Sequence, residues 1–295
     1  MDSKMEIYDI IPQQYYPKTK LVKANSTFFE VLKISQEADL KYPMIAKPDM
    51  GLRGTAVKKI DSADDLKAYS EKADFDYVIQ DMIPFANEVG IFYVRYPSDA
   101  SEERKGSITG IVAKEFLIIK GDGVSTIENL IKNNPRFEMQ LNVLKKEYGS
   151  KLQEILPKGE SINLVPYGNH ARGAKFIDRT HWITPELTET INEMCLQIPG
   201  FYFGRLDVMY NSFEELERGE NFLLVELNGA SSEPTHIYDP KHSLFFAWKE
   251  LARHIKYMFE ISMINQKSGI PFLTKKVGFE QLKLDAAMKK KIVNF

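Results

Sequence analysis

The chain has 295 residues, a formal net charge of −2 and one cysteine. This length can bury a large core, and the near-neutral charge argues against a protein that binds nucleic acid or a membrane through a strong field. The start, MDSKMEIYDI, lacks the apolar core of a signal peptide, and no apolar run approaches membrane-spanning length. We therefore expect a soluble cytoplasmic protein. Cys195 lies among apolar residues at helical spacing, which predicts core packing, and one cysteine with five histidines forms no zinc-type pattern.

The first informative segment is YPMIAKPDMGLRGTAVKKI, residues 42–60. It reads as a strand ending at Lys47, a loop in which Gly51 and Gly54 bracket Arg53, and a returning strand. Glycines let a backbone approach phosphate oxygens closely, and Lys47 at the strand end could meet them as a point charge. A plain hairpin needs the same glycines, and GxxxxGK[ST], the Walker-type loop, does not occur. The segment is therefore a candidate phosphate site with an ordinary hairpin as the alternative.

The rest of the chain alternates strands and helices without repeats. Ser62 and Asp65 form a capping pattern that predicts a helix over residues 63–72. Further along, the patterns predict strands at 77–83, 88–96 and 107–119, and helices at 124–132, 137–153 and 241–266. The tail around Leu284–Ile292 predicts a solvated amphipathic helix, with a docking helix as the alternative.

Polar side chains also interrupt two late apolar strands. Asp207 lies in GRLDVMY, and Glu226 and Asn228 lie in LLVELNG, where a spacing of two puts both on one face. Two carboxylates and an amide oxygen suit Mg²⁺. The alternative is structural ion pairing with Arg205 and nearby lysines, and the triad alone does not decide between these interpretations.

In this order, the Lys-Pro with its glycine loop, the strand YVIQDMI, and the late R-x-D and E-x-N strands resemble the ATP-grasp superfamily of carboxylate–amine ligases. The resemblance implies an α+β ATP-grasp fold whose two subdomains, with mainly antiparallel sheets, clasp ATP. It implies that Lys47 and Lys175 contact phosphate, that the loop with Gly51, Arg53 and Gly54 covers it, and that Arg205 stabilises the reaction centre. The implied adenine and ribose contacts are Gln80, Asp81, Met82, Ile83 and Glu88. The implied ligands of two Mg²⁺ ions, with Mn²⁺ possible, are Asp207, Glu226 and Asn228.

Two further segments narrow this resemblance. KGDGVSTIENLIKNNPRF, residues 120–137, and the stretch from Leu156 to Leu187 resemble cyanophycin synthetases and their glutathione-making relatives. Asn169, Gly173, Asp178 and Thr180 keep the pattern of that second segment, whereas Ala174 replaces a glycine. The resemblance makes Asn169 and Arg172 candidate substrate contacts. An exposed polar turn is the alternative.

Members of this superfamily usually carry an N-terminal α/β domain, for which the sequence before the Lys47 strand has no room. The resemblance therefore implies a substrate side completed by a homodimer or by a partner that supplies such a domain. Lys4, in a segment that resembles the entry helix of the ligases, is a candidate phosphate contact. A solvated terminal lysine is the alternative.

The loop after Asn228, NGASSEPTHIYDP, offers acceptors for an amine substrate. The candidates are Ser231, Glu233 and His236, of which Glu233 or His236 could assist deprotonation of the amine. A turn that caps the helix after Pro240 is the alternative.

These patterns lead to one expected function, an ATP-dependent ligase that joins a small-molecule carboxylate to an amine through an acyl phosphate. We expect no nucleic-acid or membrane partner. A phosphotransferase on the same site and a non-catalytic nucleotide-binding subunit remain alternatives. The expected organisation is an entry segment (1–40), a small subdomain (41–84), a large subdomain (85–240) and a helical extension (241–295).

Overall fold

The computed structural model describes residues 3–51, 54–97, 106–165 and 174–295. Within these ranges the protein combines helices with three antiparallel sheets. The predicted α+β class with mainly antiparallel sheets is therefore confirmed.

The first sheet has four strands in the order β1-β4-β2-β3. Its strands are β1 (Thr19–Val22), β2 (Met44–Pro48), β3 (Lys58–Ile60) and β4 (Tyr77–Asp81). Helices α2 (Phe28–Glu37) and α3 (Ala63–Lys72) bury Val31, Leu66 and Tyr69 in the same core as the strand residues Met44 and Ile79. The capping predicted for α3 is present, since Ser62 Oγ accepts from the Asp65 amide.

The second sheet has five strands in the order β11-β10-β5-β6-β9. They are β5 (Asn87–Val94), β6 (Ser107–Glu115), β9 (Lys175–Asp178), β10 (Phe203–Tyr210) and β11 (Phe222–Asn228). One face packs on helix α7 (Pro185–Leu196), where Cys195 is fully buried as predicted, and α8 (Phe213–Glu217) precedes β11. The opposite face of the sheet carries polar side chains over part of its length.

The predicted strand 107–119 is two strands. β6 stays in the five-stranded sheet, whereas β7 (Leu117–Lys120) leaves it to pair with β8 (Ser161–Val165). This pair packs on three short helices, α4 (Ile127–Lys132), α5 (Pro135–Glu138) and α6 (Leu141–Tyr148). The predicted helix 137–153 is broken because Gly149 takes a φ of +52° after Tyr148, a conformation that suits glycine and ends a helix.

Two helices close the chain, α9 (Leu244–Lys267) and α10 (Lys275–Val293). Most of α10 is exposed, yet Ile292 is buried and Phe295 packs on Tyr69 and Phe75 of the first sheet's core. The tail is thus solvated along most of its length and docked at its end. No helix in the described ranges is long and apolar enough to cross a membrane.

Helix α1 (Lys4–Ile10) lies where the two large sheets meet. Ser3 caps it by accepting from the Glu6 amide, and Tyr8 stacks on Tyr16 at 4.7 Å between ring centroids. The hydroxyl of Tyr8 donates to the carbonyl of Val225 on β11 over 2.8 Å. The entry helix therefore ties the first sheet to the edge of the second.

Candidate functional site

Asp207, in the middle of β10, is the centre of a buried charged cluster. Its carboxylate accepts from Arg205 Nε at 3.0 Å, from Arg205 Nη2 at 3.1 Å and from Asn228 Nδ2 at 3.2 Å, and Lys114 Nζ lies 3.2 Å away. Burial alone would raise the pKa of Asp207. The charges of Arg205 and Lys114 outweigh burial and hold that pKa at about 2. Asp207 is therefore an anion at neutral pH.

Strand register explains why these side chains share one face. Asp207 lies opposite Gly90 on β5, and Gly90 lies opposite Val112 on β6. Side chains two positions apart on a strand lie on the same face of the sheet, so Arg205, Glu88 and Lys114 share the face of Asp207. Gly90 leaves the space that the cluster needs, since a Cβ there would lie 3.1 Å from Asp207 Oδ1. The sequence analysis did not single out Gly90.

Lys114 is the residue that sequence reasoning missed. It is buried, and its Nζ lies 2.5 Å from Glu88 Oε1 as well as near Asp207. Burial raises the pKa of Glu88, with Asp207 and Glu226 adding to the rise and Lys114 opposing it. Glu88, expected at a ribose, therefore lies inside the charged cluster. A lysine within the apolar strand IVAKEF was the signal that could have found Lys114.

Glu226 and Asn228 complete an oxygen-rich edge beside Asp207. Asp207 pairs with Glu226 across β10 and β11, and Arg205 pairs with Asn228. No three His, Cys, Asp or Glu side chains in the described ranges converge tightly enough to hold a metal by themselves. The two carboxylates and the amide oxygen nevertheless form a set of ligands that fits Mg²⁺. Oxygen atoms of a bound ligand would complete the coordination shell of the ion.

Lys47 approaches this edge from the first sheet. It lies one residue before the end of β2 and is buried, and its Nζ donates to Tyr8 Oη at 3.1 Å and to the Val225 carbonyl at 3.3 Å, next to Glu226. Burial lowers the pKa of Lys47 to about 8, against the raising effect of Glu226. The two halves of the predicted site thus meet at β11.

Lys4 lies in the same region and is not a solvated terminal lysine. Its Nζ donates to the Asp49 carbonyl at 3.2 Å. Burial lowers the pKa of Lys4, which Glu226 raises and Lys47 lowers further. The alternative of a solvated terminus does not describe this residue.

The segment expected to line adenine follows β4. The Gln80 side chain is buried, and its Nε2 donates to Thr19 Oγ1 at 3.1 Å, a hydrogen bond that joins β4 to β1. Asp81 and Met82 line a cavity with Tyr42 and Leu223, and Ile83 comes directly after them. Gln80 therefore offers no free side chain for a base, whereas residues 81–82 face an open cavity.

The glycine loop is described only at its ends. Gly51 packs on Pro48, where a Cβ would lie 3.1 Å from Pro48 Cβ, and Gly54 has a φ of +70° that favours glycine. Arg53 lies outside the described residues, as do Asn169 and Arg172.

Lys175, expected to contact phosphate, lies on the edge strand of the five-stranded sheet. Lys175 pairs with Glu115 on the edge strand β9, while its neighbour Phe176 pairs with Lys114. Because side chains alternate along a strand, Lys175 points to the opposite face of the sheet from Lys114 and Asp207. Its Nζ lies 3.9 Å from Glu115. Lys114, not Lys175, is the lysine beside Asp207.

The loop after Asn228 carries one further correction. His236 is buried rather than presented to a substrate, and its Nε2 lies 3.4 Å from Glu250 of α9. Burial lowers the pKa of His236, whereas the charges of Asp178 and Glu250 raise it. It packs over Gly110, where a Cβ would lie 2.3 Å from its Nδ1. His236 thus anchors the loop to the sheet, and it does not act as an accessible base.

Two other loop residues remain near the cluster surface. Ser231 and Glu233 are exposed, and Arg205 Nη1 donates to the Glu233 carbonyl at 3.4 Å. The Glu233 carboxylate accepts from the Tyr238 hydroxyl. The loop therefore contacts Arg205 through the Glu233 carbonyl.

Comparison with known structures supports this architecture. A D-alanine–D-alanine ligase from Bacillus anthracis matches with a TM-score of 0.50 and 15% identity, over 90% of this chain and 69% of that one. The chain has the ATP-grasp fold. A bifunctional glutathione synthetase from Pasteurella multocida is also similar, with a TM-score of 0.43 and 14% identity over 87% of this chain.

In sequence the chain is similar to a cyanophycin synthetase from Synechocystis sp., with 28% identity over 148 residues. That match covers 45% of this chain and 17% of the cyanophycin synthetase, and the chain spans 35% of the glutathione synthetase. No family model matches.

Proposed function

We propose that this ATP-grasp chain is an ATP-dependent ligase that joins a small-molecule carboxylate to an amine and releases ADP and phosphate. The observation that carries the proposal is the meeting of two charged groups at β11. Lys47 reaches the strand from the first sheet, and the cluster of Arg205, Lys114 and Asp207 lies on the strands beside it. Cations and carboxylates at one crevice suit a polyphosphate with its counter-ion.

Lys47 and Lys4 hold the phosphates in this proposal, and the loop from Gly51 to Gly54 covers them. Asp207, Glu226 and Asn228 would hold Mg²⁺, which neutralises charge on the phosphoryl oxygens when bound. Glu88 keeps Lys114 in place beside Asp207. Residues 81–83 border the adenine.

The proposed reaction has two steps. A carboxylate oxygen of the acid attacks the γ-phosphorus, a new O–P bond forms, and ADP leaves with the electrons of the broken bridging bond. The amine nitrogen then attacks the carbonyl carbon, a C–N bond forms, and phosphate leaves while the amine loses a proton. Arg205 stabilises the oxyanion that precedes phosphate release. Glu233 and Ser231 are acceptors for the amine before it reacts.

Thermal unfolding with a non-hydrolysable ATP analogue tests the nucleotide site. A ligand that binds only the folded state stabilises it by about 2.7 kcal/mol at one hundred times its Kd. We expect a rise in Tm that depends on Mg²⁺ and is lost in Glu226→Gln. Glu220→Gln, an exposed carboxylate paired with Arg218, is the matched control and should keep the rise. A Glu226→Gln protein with a wild-type Mg²⁺ response would contradict the proposed metal site.

Phosphate release with pairs of acids and amines tests the chemistry. We expect free phosphate to appear only when both substrates are present, in equal amount to the amide formed. Phosphate transferred to the acid and stable there would instead identify a phosphotransferase. Nucleotide binding without turnover across acid and amine pairs would favour a binding subunit.

A further inference from the structure

The segment that joins α9 to α10 lies outside the hydrophobic cores. Helix α9 is last buried at Ile261, and α10 is next buried at Ile292. Between these two positions, all of which the structure describes, no residue is buried. Most helices in proteins are stabilised by packing an apolar face against the rest of the fold. This part of the chain makes little use of such packing.

The turn between the two helices nevertheless has a defined backbone. Gly269 takes a φ of +92°, and the amide of Ile270 donates to the Asn265 carbonyl at 3.0 Å. This is the Schellman arrangement that ends a helix. On the other side of the turn, the Thr274 side chain caps the start of α10. Residues 270–273 are therefore held between two helix caps.

This turn exposes three apolar side chains. Ile270 is 54% exposed, Phe272 56% and Leu273 64%. Surface turns are normally built from polar residues. A Schellman arrangement commonly packs the residue at the position of Ile270 on an apolar residue of the last helical turn, but that position is Asn265 here. Packing within the chain therefore does not account for the apolar turn.

Lysines flank the apolar turn on both sides. Lys267 is the last residue of α9, Lys275 and Lys276 are the first two of α10, and all three are exposed. The sequence has no acidic residue between Glu260 and Glu280. Among the residues that the structure describes, no carboxylate pairs with these lysines. The turn is thus a point of positive charge in a chain whose formal net charge is −2.

Apolar side chains flanked by lysines are the combination that binds the surface of an anionic bilayer. The apolar groups enter the boundary between headgroups and acyl chains, and the ammonium groups stay at the level of the lipid phosphates. Each lysine at such a surface strengthens binding about five-fold. At physiological ionic strength this attraction acts within about 8 Å, so it depends on the local charge and not on the net charge of the chain.

We propose that the α9–α10 turn, residues 267–276, docks this protein on an anionic lipid bilayer. Ile270, Phe272 and Leu273 enter the interface, and the flanking lysines contact the lipid phosphates. The turn lies in the surface of the bilayer and does not span it. The proposal rests on the exposed apolar turn and its unpaired lysines, and it does not depend on ligase activity.

The first test is co-sedimentation of the full-length protein with vesicles of phosphatidylcholine and phosphatidylglycerol in equal amounts. We expect binding that weakens with added salt and is much weaker on pure phosphatidylcholine. Phe272→Ser should raise the Kd for the mixed vesicles about 30-fold. The double substitution Lys275→Gln with Lys276→Gln should raise it by a similar factor.

Helix α2 provides the matched controls. Phe29 is 80% exposed there, and Lys33, one helical turn further along, is also exposed. Phe29→Ser and Lys33→Gln should leave vesicle binding unchanged. Every substituted position is exposed, so the variants should unfold at the wild-type temperature, and thermal unfolding checks this.

The second test locates the contact. Leu273→Cys, labelled with an environment-sensitive fluorophore, should show a shift of emission to shorter wavelength when the mixed vesicles are added. The native Cys195 is buried and takes up no label in the folded protein. Ala63→Cys, at an exposed position on α3, should carry the same label without this shift.

Three results would overturn the proposal. One is the absence of binding to the mixed vesicles, and a second is binding that persists unchanged in Phe272→Ser or in the double lysine variant. The third is self-association through Phe272 in a protein that does not bind vesicles, which would make the turn a contact between copies of the chain.

Discussion

At the scale of single residues, the site depends on one heavily paired carboxylate. Asp207 compensates two buried cations, Arg205 and Lys114, and Glu88 is the second carboxylate that pairs with Lys114 among the described residues. The structure thus contains both the ion pairs and the oxygen-rich edge that the sequence offered as alternatives. The ion pairs hold the Asp207 carboxylate in position, and the side-chain oxygen atoms of the neighbouring Glu226 and Asn228 are left to bind a ligand.

Asp207→Asn should therefore destabilise the fold as well as the site. Removing the anion takes away the carboxylate partner of Arg205 and leaves Lys114 with Glu88 alone, and breaking comparable buried pairs costs about 3–5 kcal/mol. Urea denaturation at neutral pH measures the loss in the free energy of unfolding. Glu226→Gln, at a partly exposed position, should lose less than about 1 kcal/mol. Equal losses in the two variants would contradict this assignment of roles.

The pKa of Asp207 also sets a pH window. Its value of about 2 in the fold lies below the ordinary 3.8, so its contribution to stability is present above 3.8 and is lost as pH falls toward 2. Wild type should lose this contribution on acidification, and Asp207→Asn should lack that part of the pH dependence.

Lys47 gives a second residue-scale prediction. Its pKa of about 8 in the fold lies below the ordinary 10.5, so its neutral form is favoured and its contribution to stability increases as pH rises from 8 to 10.5. Phosphate binding needs the protonated form. The proposed ATP affinity should fall about ten-fold per pH unit above that pKa, as measured by titration calorimetry. Lys47→Met should bind weakly at every pH, and a pH-independent wild type would contradict the role of Lys47.

At the scale of elements, two segments hold the site in position. Helix α1 brings Tyr8 between Lys47 and Val225, and the loop after β11 is anchored by the buried His236 against Glu250 of α9. Neither anchor touches Asp207, yet each sets where a neighbour of Asp207 lies. The site is therefore sensitive to elements distant in sequence.

Tyr8→Phe tests the first anchor. It removes a hydroxyl that donates to Val225 O at 2.8 Å and accepts from Lys47 at 3.1 Å. Leaving buried partners without this hydrogen bond should cost about 1–3 kcal/mol of unfolding free energy. Tyr15→Phe is the control, since the Tyr15 hydroxyl accepts from Gln197 at an exposed position and its loss should cost a few tenths of a kcal/mol. Chemical denaturation of the two variants should show that order.

At the scale of the whole molecule, the C-terminal helices connect regions far apart in sequence. Helix α9 packs on the five-stranded sheet, and α10 ends in the core of the four-stranded sheet through Ile292. Lys291 adds a hydrogen bond to the Asp74 carbonyl at 2.8 Å. The two C-terminal helices therefore contact both large sheets.

Ile292→Ala should destabilise the protein by about 2–4 kcal/mol, because it removes a side chain that is only 3% exposed. Val293→Ala, next along the helix but 63% exposed, should change the free energy of unfolding by less than about 0.5 kcal/mol. Thermal unfolding of both variants compares them directly. Similar Tm values would mean that the tail does not dock in solution.

The sequence by itself determined which segments become strands and helices wherever local chemistry is strong. The alternation at Glu226 and Asn228, the cap at Ser62 and the helix around Cys195 depend on neighbours a few residues away. The order of motifs was also enough to predict the fold class.

Only the tertiary structure decided which charges meet. Lys114 reaches Asp207, Lys175 faces away, Tyr8 reaches Val225 and His236 is buried because strands and helices distant in sequence pair in one register. A shift of one residue in the pairing of β6 would turn Lys114 to the other face of the sheet. Pairing of this kind is a property of the packed sheets, whose register is set by burial across the whole core and not by any single segment.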